Sequence, residues 1–220
     1  NKHSIRSFRR RIKVMDIMIK SEISGIFPTP IYKSKLNRHL TNKEFNFFKK
    51  IKRAPNKNNL TSFDNYVLEK PVLLNLKKEI DLFVKDYFNK IIFPPKSISP
   101  YITQSWLNYT EQNQGHHAHN HANSFLSGVF YINADKFTDT ISFQNDKYKQ
   151  LKFSSTKYEL YNSDNWSFPI ESRDIIIFPS EIIHFVEWKK NKGTRISLSF
   201  NVFLKGKLGM AEDLNQLYLT

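Results

Sequence analysis

The sequence predicts a mainly β protein, an antiparallel sandwich or jelly roll carried on N-terminal helices. From Tyr101 onward, β-rich runs succeed one another at 102–109, 125–132, 140–143, 174–178, 182–188 and 195–204, each bounded by turn residues. Two helical patterns precede these runs and none lies between them, which argues against the alternating order of a parallel α/β sheet. In the last run Ile196, Leu198, Phe200 and Val202 alternate with Ser197, Ser199, Asn201 and Phe203, the two-residue period of a strand with unlike faces.

Taken in order, residues 1–26 form a basic leader expected outside the core, and 27–220 form a single domain with helical support at 40–95 and a jelly-roll core at 100–205. Phe27-Pro28-Thr29-Pro30 reads as extended, because each proline pushes its predecessor out of the helical region. Thr41-Asn42-Lys43-Glu44 has the pattern of a capping box, and Phe45, Phe48 and Ile51 follow at helical spacing. Residues 54–65 read as a polar loop. Pro71 suits a first helical turn. Leu73, Leu76, Ile80, Phe83, Val84, Tyr87, Phe88 and Ile91 then form one apolar stripe opposite Lys77, Lys78, Asp81 and Lys85. Pro94-Pro95 ends that helix. The polar span 145–165 reads as a surface insertion, and there is no internal repeat.

Composition narrows the chemistry. The chain has 220 residues, enough for one substantial core, and no cysteine. Disulfides, zinc thiolates, iron–sulfur clusters and thiol nucleophiles are thereby excluded, and any metal must be held by nitrogen or oxygen. No apolar run reaches bilayer length and no signal-peptide core is present, so the expectation is a cytoplasmic protein without a membrane partner. The net charge of +14 is concentrated early. Residues 1–20 carry seven basic side chains against Asp16, residues 21–57 carry nine against Glu22 and Glu44, and the remainder is nearly balanced. Residues 1–57 could therefore attract a nucleic acid or another acidic partner, although a charge block alone reads more readily as a solvated surface.

Four of the seven histidines crowd into His116, His117, His119 and His121. On an extended segment His117, His119 and His121 share one face and His116 points opposite. Two imidazoles from that face and a third from a distant strand make a three-point metal site with open positions. His184, which follows the run Asp174–Phe178 and a turn, is the candidate third. A His-rich exposed loop that chelates metal adventitiously is the plainer alternative. Arg195 and Ser197 lie on one face of the final strand, a guanidinium fork beside a hydroxyl, suited to a carboxylate.

With these residues in view, the chain resembles the 2-oxoglutarate- and Fe(II)-dependent dioxygenase superfamily, and within it the group of little-characterised oxygenases of bacteria and their viruses. The resemblance spans roughly residues 27–205. It rests on Phe27-Pro28-Thr29-Pro30, Trp106-Leu107-Asn108, His119-Asn120-His121 leading to Ser124, Ser127-Gly128-Val129-Phe130-Tyr131, Phe178-Pro179 before His184, and Arg195-Ile196-Ser197 running to Phe200-Asn201.

The resemblance implies a cupin-like double-stranded β-helix, Fe(II) as metal and 2-oxoglutarate with oxygen as co-substrates. It implies hydroxylation of an unidentified substrate with release of succinate and carbon dioxide. His119 and His121 take the proximal ligand positions and His184 the distal one. Arg195 with Ser197 would hold the far carboxylate of 2-oxoglutarate, with Asn108 and Tyr131 toward its other end, and no catalytic residue is implied beyond the metal ligands. One departure stands out: the superfamily's usual second proximal ligand is Asp or Glu, and here it is histidine. A three-histidine site, another choice among the clustered histidines, and a carboxylate from elsewhere such as Glu111 all remain open. Trp106, Phe130, Tyr131, Phe178 and Phe200 are candidate pocket walls, although core packing is the commoner role for such residues. Two other function classes stay in play: a cupin-like metal- or ligand-binding module without turnover, and a nucleic-acid-binding protein acting through the basic N-terminal region.

Overall fold

The computed structural model describes residues 21–145 and 153–220. Arg9-Arg10-Arg11, with most of the basic leader, and residues 146–152 of the 145–165 span therefore lie outside the described residues.

After β1 (Tyr32–Lys35), the helical support opens where the sequence places it. The Glu44 amide donates to the Thr41 hydroxyl at 3.2 Å and the Thr41 amide to the Glu44 carboxylate at 2.7 Å, closing the capping box of α1 (Asn42–Lys50). A short hairpin follows, β2 (Arg53–Pro55) and β3 (Leu60–Ser62), where a polar loop was expected. Three-residue polar strands carry no periodicity to read, and these form because their Asn-rich turn closes on itself, the Asn56 amide donating to Asn59 O at 2.9 Å. Pro71 begins a 3₁₀ turn that runs directly into α2 (Leu74–Tyr87). The predicted stripe is the buried one: Leu73, Leu76, Ile80, Val84, Tyr87 and Phe88 are all enclosed. Phe93, in the left-handed region at φ 50°, turns the chain away just before Pro94. Arg38 ties the two helices together by donating to both Glu44 and Glu79 at 2.7–2.9 Å.

The remainder is β4 (Ile98–Thr110), β5 (His116–His119), β6 (Leu126–Asn133), β7 (Thr140–Gln144), β8 (Asn165–Pro169), β9 (Asp174–Pro179), β10 (His184–Val186), β11 (Arg195–Leu208) and β12 (Leu217–Leu219). All named pairings are antiparallel. The larger sheet runs β1-β9-β6-β11-β4-β3-β2 with β12 on the end of β11, and the smaller runs β5-β10-β7-β8. They face each other as a jelly roll, the double-stranded β-helix.

The larger sheet is buried on both sides, which explains the unlike faces of its strands. Phe130, Ile175, Ile177, Ile196, Leu198 and Phe200 pack outward against α1 and α2, whereas Val129, Tyr131, Ile176 and Phe178 pack inward against Ile141 and Phe143 of the smaller sheet. The odd-numbered residues of β11, from Arg195 to Asn201, are buried as well, although polar. Burying such a row costs free energy unless it finds partners, so a polar face turned into a sandwich marks a site. Gly128 is the close approach in this packing: a Cβ there would sit 2.0 Å from the Phe200 ring that covers it. Among the described residues, no helix is long and apolar enough to cross a membrane.

Candidate metal centre

The smaller sheet assembles the histidines. His184 of β10 pairs with His119 of β5, and the next pair is Val186 with His116. Two steps along β10 thus correspond to three along β5, so β5 carries one extra residue, a bulge. The bulge inverts the side-chain parity upstream of it and turns His116 to the same side as His119, with rings stacked 4.5 Å apart. This corrects the expectation that His116 points away from His119. The His117 ring stays 5.1 Å from that of His119 and lines an outer cavity as well, and His121 lies beyond the strand, its amide donating to Ser180 O at 3.0 Å.

His119, His121 and His184 converge. Their ring centres are 4.4 Å (119–184), 5.1 Å (121–184) and 5.2 Å (119–121) apart. One candidate ligand nitrogen from each falls within 4.8 Å of the others, the one such His/Asp/Glu cluster among the described residues. Each Nδ1 meets an oxygen: His119 faces His117 O at 2.8 Å, His184 faces Ile182 O at 3.1 Å, and His121 faces Asn201 Oδ1 at 2.6 Å and Ser127 Oγ at 2.8 Å. Donating Nδ1–H to these acceptors leaves Nε2 of each ring as the lone-pair nitrogen, the tautomer a metal requires. Burial pushes His184 down to about 3, with the neighbouring imidazoles adding to it, and holds His119 and His121 below the usual histidine range. All three are neutral near pH 7.

Arg195 is the second feature. It is 4 % exposed and lies within ion-pair distance of no carboxylate among the described residues. Its Nη2 donates to Thr110 Oγ1 at 3.1 Å and its Nη1 to Thr140 O at 3.5 Å, while the buried Nε has no partner. Asp139, an acidic group that could have neutralised it, is taken by Lys189 at 3.1 Å. Ser197 and Asn108 are register partners between β11 and β4, and Tyr131 of β6 pairs Ser197 from the other side. Asn108 donates to Ser199 Oγ at 3.0 Å and leaves its buried Oδ1 unpaired. Burial raises the Tyr131 phenol above its ordinary value, so it stays protonated. Arg195, Ser197, Ser199, Asn108 and Tyr131 line one cavity with His119, His121 and His184. Its free volume of about 30 Å³ is that of one or two waters.

Two alternatives raised by the sequence are narrowed. Phe130 and Phe200 are not pocket walls, since alternation turns them to the helical face, whereas Trp106 and Tyr131 do line the cavity and Phe178 packs 4.7 Å from the His184 ring. Glu111 accepts the Thr194 hydroxyl at 2.8 Å and does not join the histidine cluster. The sequence reading gave no part to Thr110, kept His116 only as an alternative ligand, and took Asn201 and Ser127 only as marks of the resemblance, without a role in the site. Asn201 was within reach, since it shares the β11 face of Arg195 and Ser197. Its amide donates to Gln104 Oε1 at 3.3 Å, which turns Oδ1 toward His121.

Residues 104–201 match the family model described as "Putative 2OG-Fe(II) oxygenase". Among solved structures, the fold is similar to an oxidoreductase of the 2OG-Fe(II) oxygenase family from Burkholderia pseudomallei, at 12% identity and a TM-score of 0.53, covering 77% of this chain and 83% of that one. HygX from Streptomyces hygroscopicus, crystallised with nickel and 2-oxoglutarate bound, is similar at 9% identity and a TM-score of 0.54, covering 79% and 82%. AviO1 from Streptomyces viridochromogenes Tue57 follows at 9% identity and a TM-score of 0.51, covering 79% and 89%. At such identities the likeness is one of fold. No curated protein sequence matches the chain.

Proposed function

We propose that the chain belongs to the 2OG-Fe(II) oxygenase superfamily, whose family model matches residues 104–201, and that it is an Fe(II)- and 2-oxoglutarate-dependent dioxygenase hydroxylating a substrate still to be identified. The reading takes residues 27–220 as one domain and His119, His121 and His184 as the metal ligands. It takes Arg195, assisted by Ser197, as the clamp on the far carboxylate of 2-oxoglutarate, with Asn108 and Tyr131 toward the other end. The observation that carries it is a buried guanidinium without a carboxylate, enclosed in the same cavity as three convergent neutral imidazoles. A lone buried cation is costly, and a dicarboxylate anchored beside a metal removes that cost while using the fork geometry of arginine. The nickel and 2-oxoglutarate bound by HygX support the same pairing.

His119, His121 and His184 would hold the Fe(II), which with 2-oxoglutarate and oxygen would supply oxidative decarboxylation to succinate and carbon dioxide coupled to hydroxylation of the substrate. The chain's own residues do the placing. The acceptors at Nδ1 of His119, His121 and His184 fix ring orientation before any metal arrives, which lowers the entropic cost of binding. Thr110 and the Thr140 carbonyl hold the Arg195 fork from one side and leave Nε to the guest. Tyr131 stays protonated and can donate to an anionic oxygen, and Trp106 with Phe178 keeps water from the imidazoles. Because no ligand is a carboxylate, the assembled site with one dianionic co-substrate and Arg195 carries one more positive charge than a His-Asp-His site would.

The test is succinate formation by the purified chain supplied with Fe(II), 2-oxoglutarate and oxygen. Turnover of 2-oxoglutarate, even uncoupled from a substrate, is expected, and it should vanish in His184→Ala. Metal binding with no effect of 2-oxoglutarate on oxygen uptake would leave a binding module and end the enzyme reading.

A further inference from the structure

A second, much larger cavity of about 1040 Å³ opens beside the metal centre and shares the walls His116, Phe185 and Val186 with it. Its volume lies at the upper end of small-molecule sites, room for a molecule of two or three rings. The chemistry of its lining is unusual for this chain. Phe153, Tyr158, Tyr161 and Trp188 line it and leave 78%, 57%, 65% and 59% of their surfaces in contact with solvent, so four aromatic residues are offered in one concavity. Exposed rings gathered in a hollow mark a binding surface, unlike single apolar residues scattered over a protein.

Between the rings stand the carboxamides of Asn58, Gln144 and Asn165 and the carboxylate of Glu187. Carboxamides offer a donor and an acceptor side by side, which matches pairs of hydroxyl groups. The described lining contains no lysine or arginine, in a chain of net charge +14. Phosphate and carboxylate ligands call for such cations, and Glu187 would repel them. A lipid tail would leave the carboxamides unpaired, a cost on the order of 1–3 kcal/mol for each buried group.

We infer that this cavity is the primary-substrate cleft and that it takes a polyhydroxylated, non-anionic ring compound, a saccharide. The apolar faces of sugar rings stack on the aromatic side chains while hydroxyls pair with carboxamides and Glu187. The shared wall at His116 brings the bound sugar to the threshold of the metal centre. This inference rests on the oxygenase reading for its role but not for its binding chemistry.

The experiment uses the full chain, prepared without iron or 2-oxoglutarate, applied to a glycan array and in parallel to a peptide array and a set of immobilised nucleosides. Glycan signal is expected, falling about tenfold in Trp188→Ala and in Tyr161→Ala and unchanged in Tyr218→Ala, an exposed aromatic outside the cavity. Signal confined to peptides or nucleosides, no signal on any surface, or glycan signal indifferent to Trp188→Ala would each overturn the inference. The succinate assay decides the oxygenase reading separately. Turnover without glycan binding removes only the substrate class, and glycan binding without turnover removes only the enzyme.

Discussion

His184 and His119 stand directly opposite each other across the β5–β10 ladder, their rings 4.4 Å apart. The pairing is made by backbone hydrogen bonds, so two of the three proposed ligands are positioned by the sheet itself. The third, His121, depends on side chains, and this difference separates the predictions that follow.

Replacing His184 by alanine removes one member of the ladder pair. Metal affinity is expected to fall at least ~100-fold, since a ligand is lost outright and loss of a mere supporting contact already costs roughly 10–100-fold. The stabilisation of the wild-type chain by Fe(II) or Ni(II) in thermal unfolding should disappear with it. An unchanged metal-induced rise in Tm would remove His184 from the site.

Asn201→Leu takes away the acceptor at 2.6 Å from His121 Nδ1 and touches none of the three imidazole nitrogens proposed to bind metal. Metal affinity is expected to drop by roughly 10–100-fold, with His121 free to turn and to change tautomer. Calorimetric titration with Ni(II) measures it. Wild-type affinity would mean that the Ser127 hydroxyl alone holds the ring.

Arg195→Met separates binding from stability. Affinity for 2-oxoglutarate in the metal-loaded chain is expected to fall by about 10–100-fold, the worth of a charge-assisted pair. The Tm of the metal-free chain should not fall, because an isostere without charge removes the desolvation cost of an unpaired buried cation. Equal losses of 2-oxoglutarate affinity and Tm would recast Arg195 as a structural residue.

The buried histidines make the metal-free chain acid-sensitive. His116 and His184 are both pushed down to about 3, by burial first and by neighbouring imidazoles second, and the unfolded chain binds protons at the ordinary histidine value near 6.5. Below that value the unfolded state holds more protons, so the stability from these groups is complete above about pH 6.5 and is lost progressively as pH falls toward 3. Tm measured between neutral pH and pH 4.5 should decline, and His184→Gln should flatten the slope. A slope unaltered by that substitution would assign the acid sensitivity elsewhere.

Gly128→Ala tests the packing that holds β6 against β11. The added methyl would lie 2.0 Å from the Phe200 ring, and a loss of about 1–3 kcal/mol is expected in denaturant unfolding, partly recovered by Phe200→Leu. No loss would mean that Phe200 has another place to go.

Much of this molecule was legible before folding. The capping box at Thr41 and the stripe from Leu73 to Phe88 name their own elements, because helix signals are local and span a few turns. The residues able to hold a metal or a diacid also stood out, since His119, His121, His184 and Arg195 are few in a chain with no cysteine. Strands of three or four residues, β2, β3 and β5 among them, offered too short a period to read.

The amino-acid order by itself determined which groups are present and that β11 carries an apolar and a polar face. Only the tertiary structure decided which way the clustered histidines point and that the polar face of β11 is enclosed. The physical reason is that two-residue alternation holds only along an unbroken ladder. The extra residue in β5, which turns His116 toward His119, arises from pairing with a strand some 65 positions away, and no local pattern encodes it.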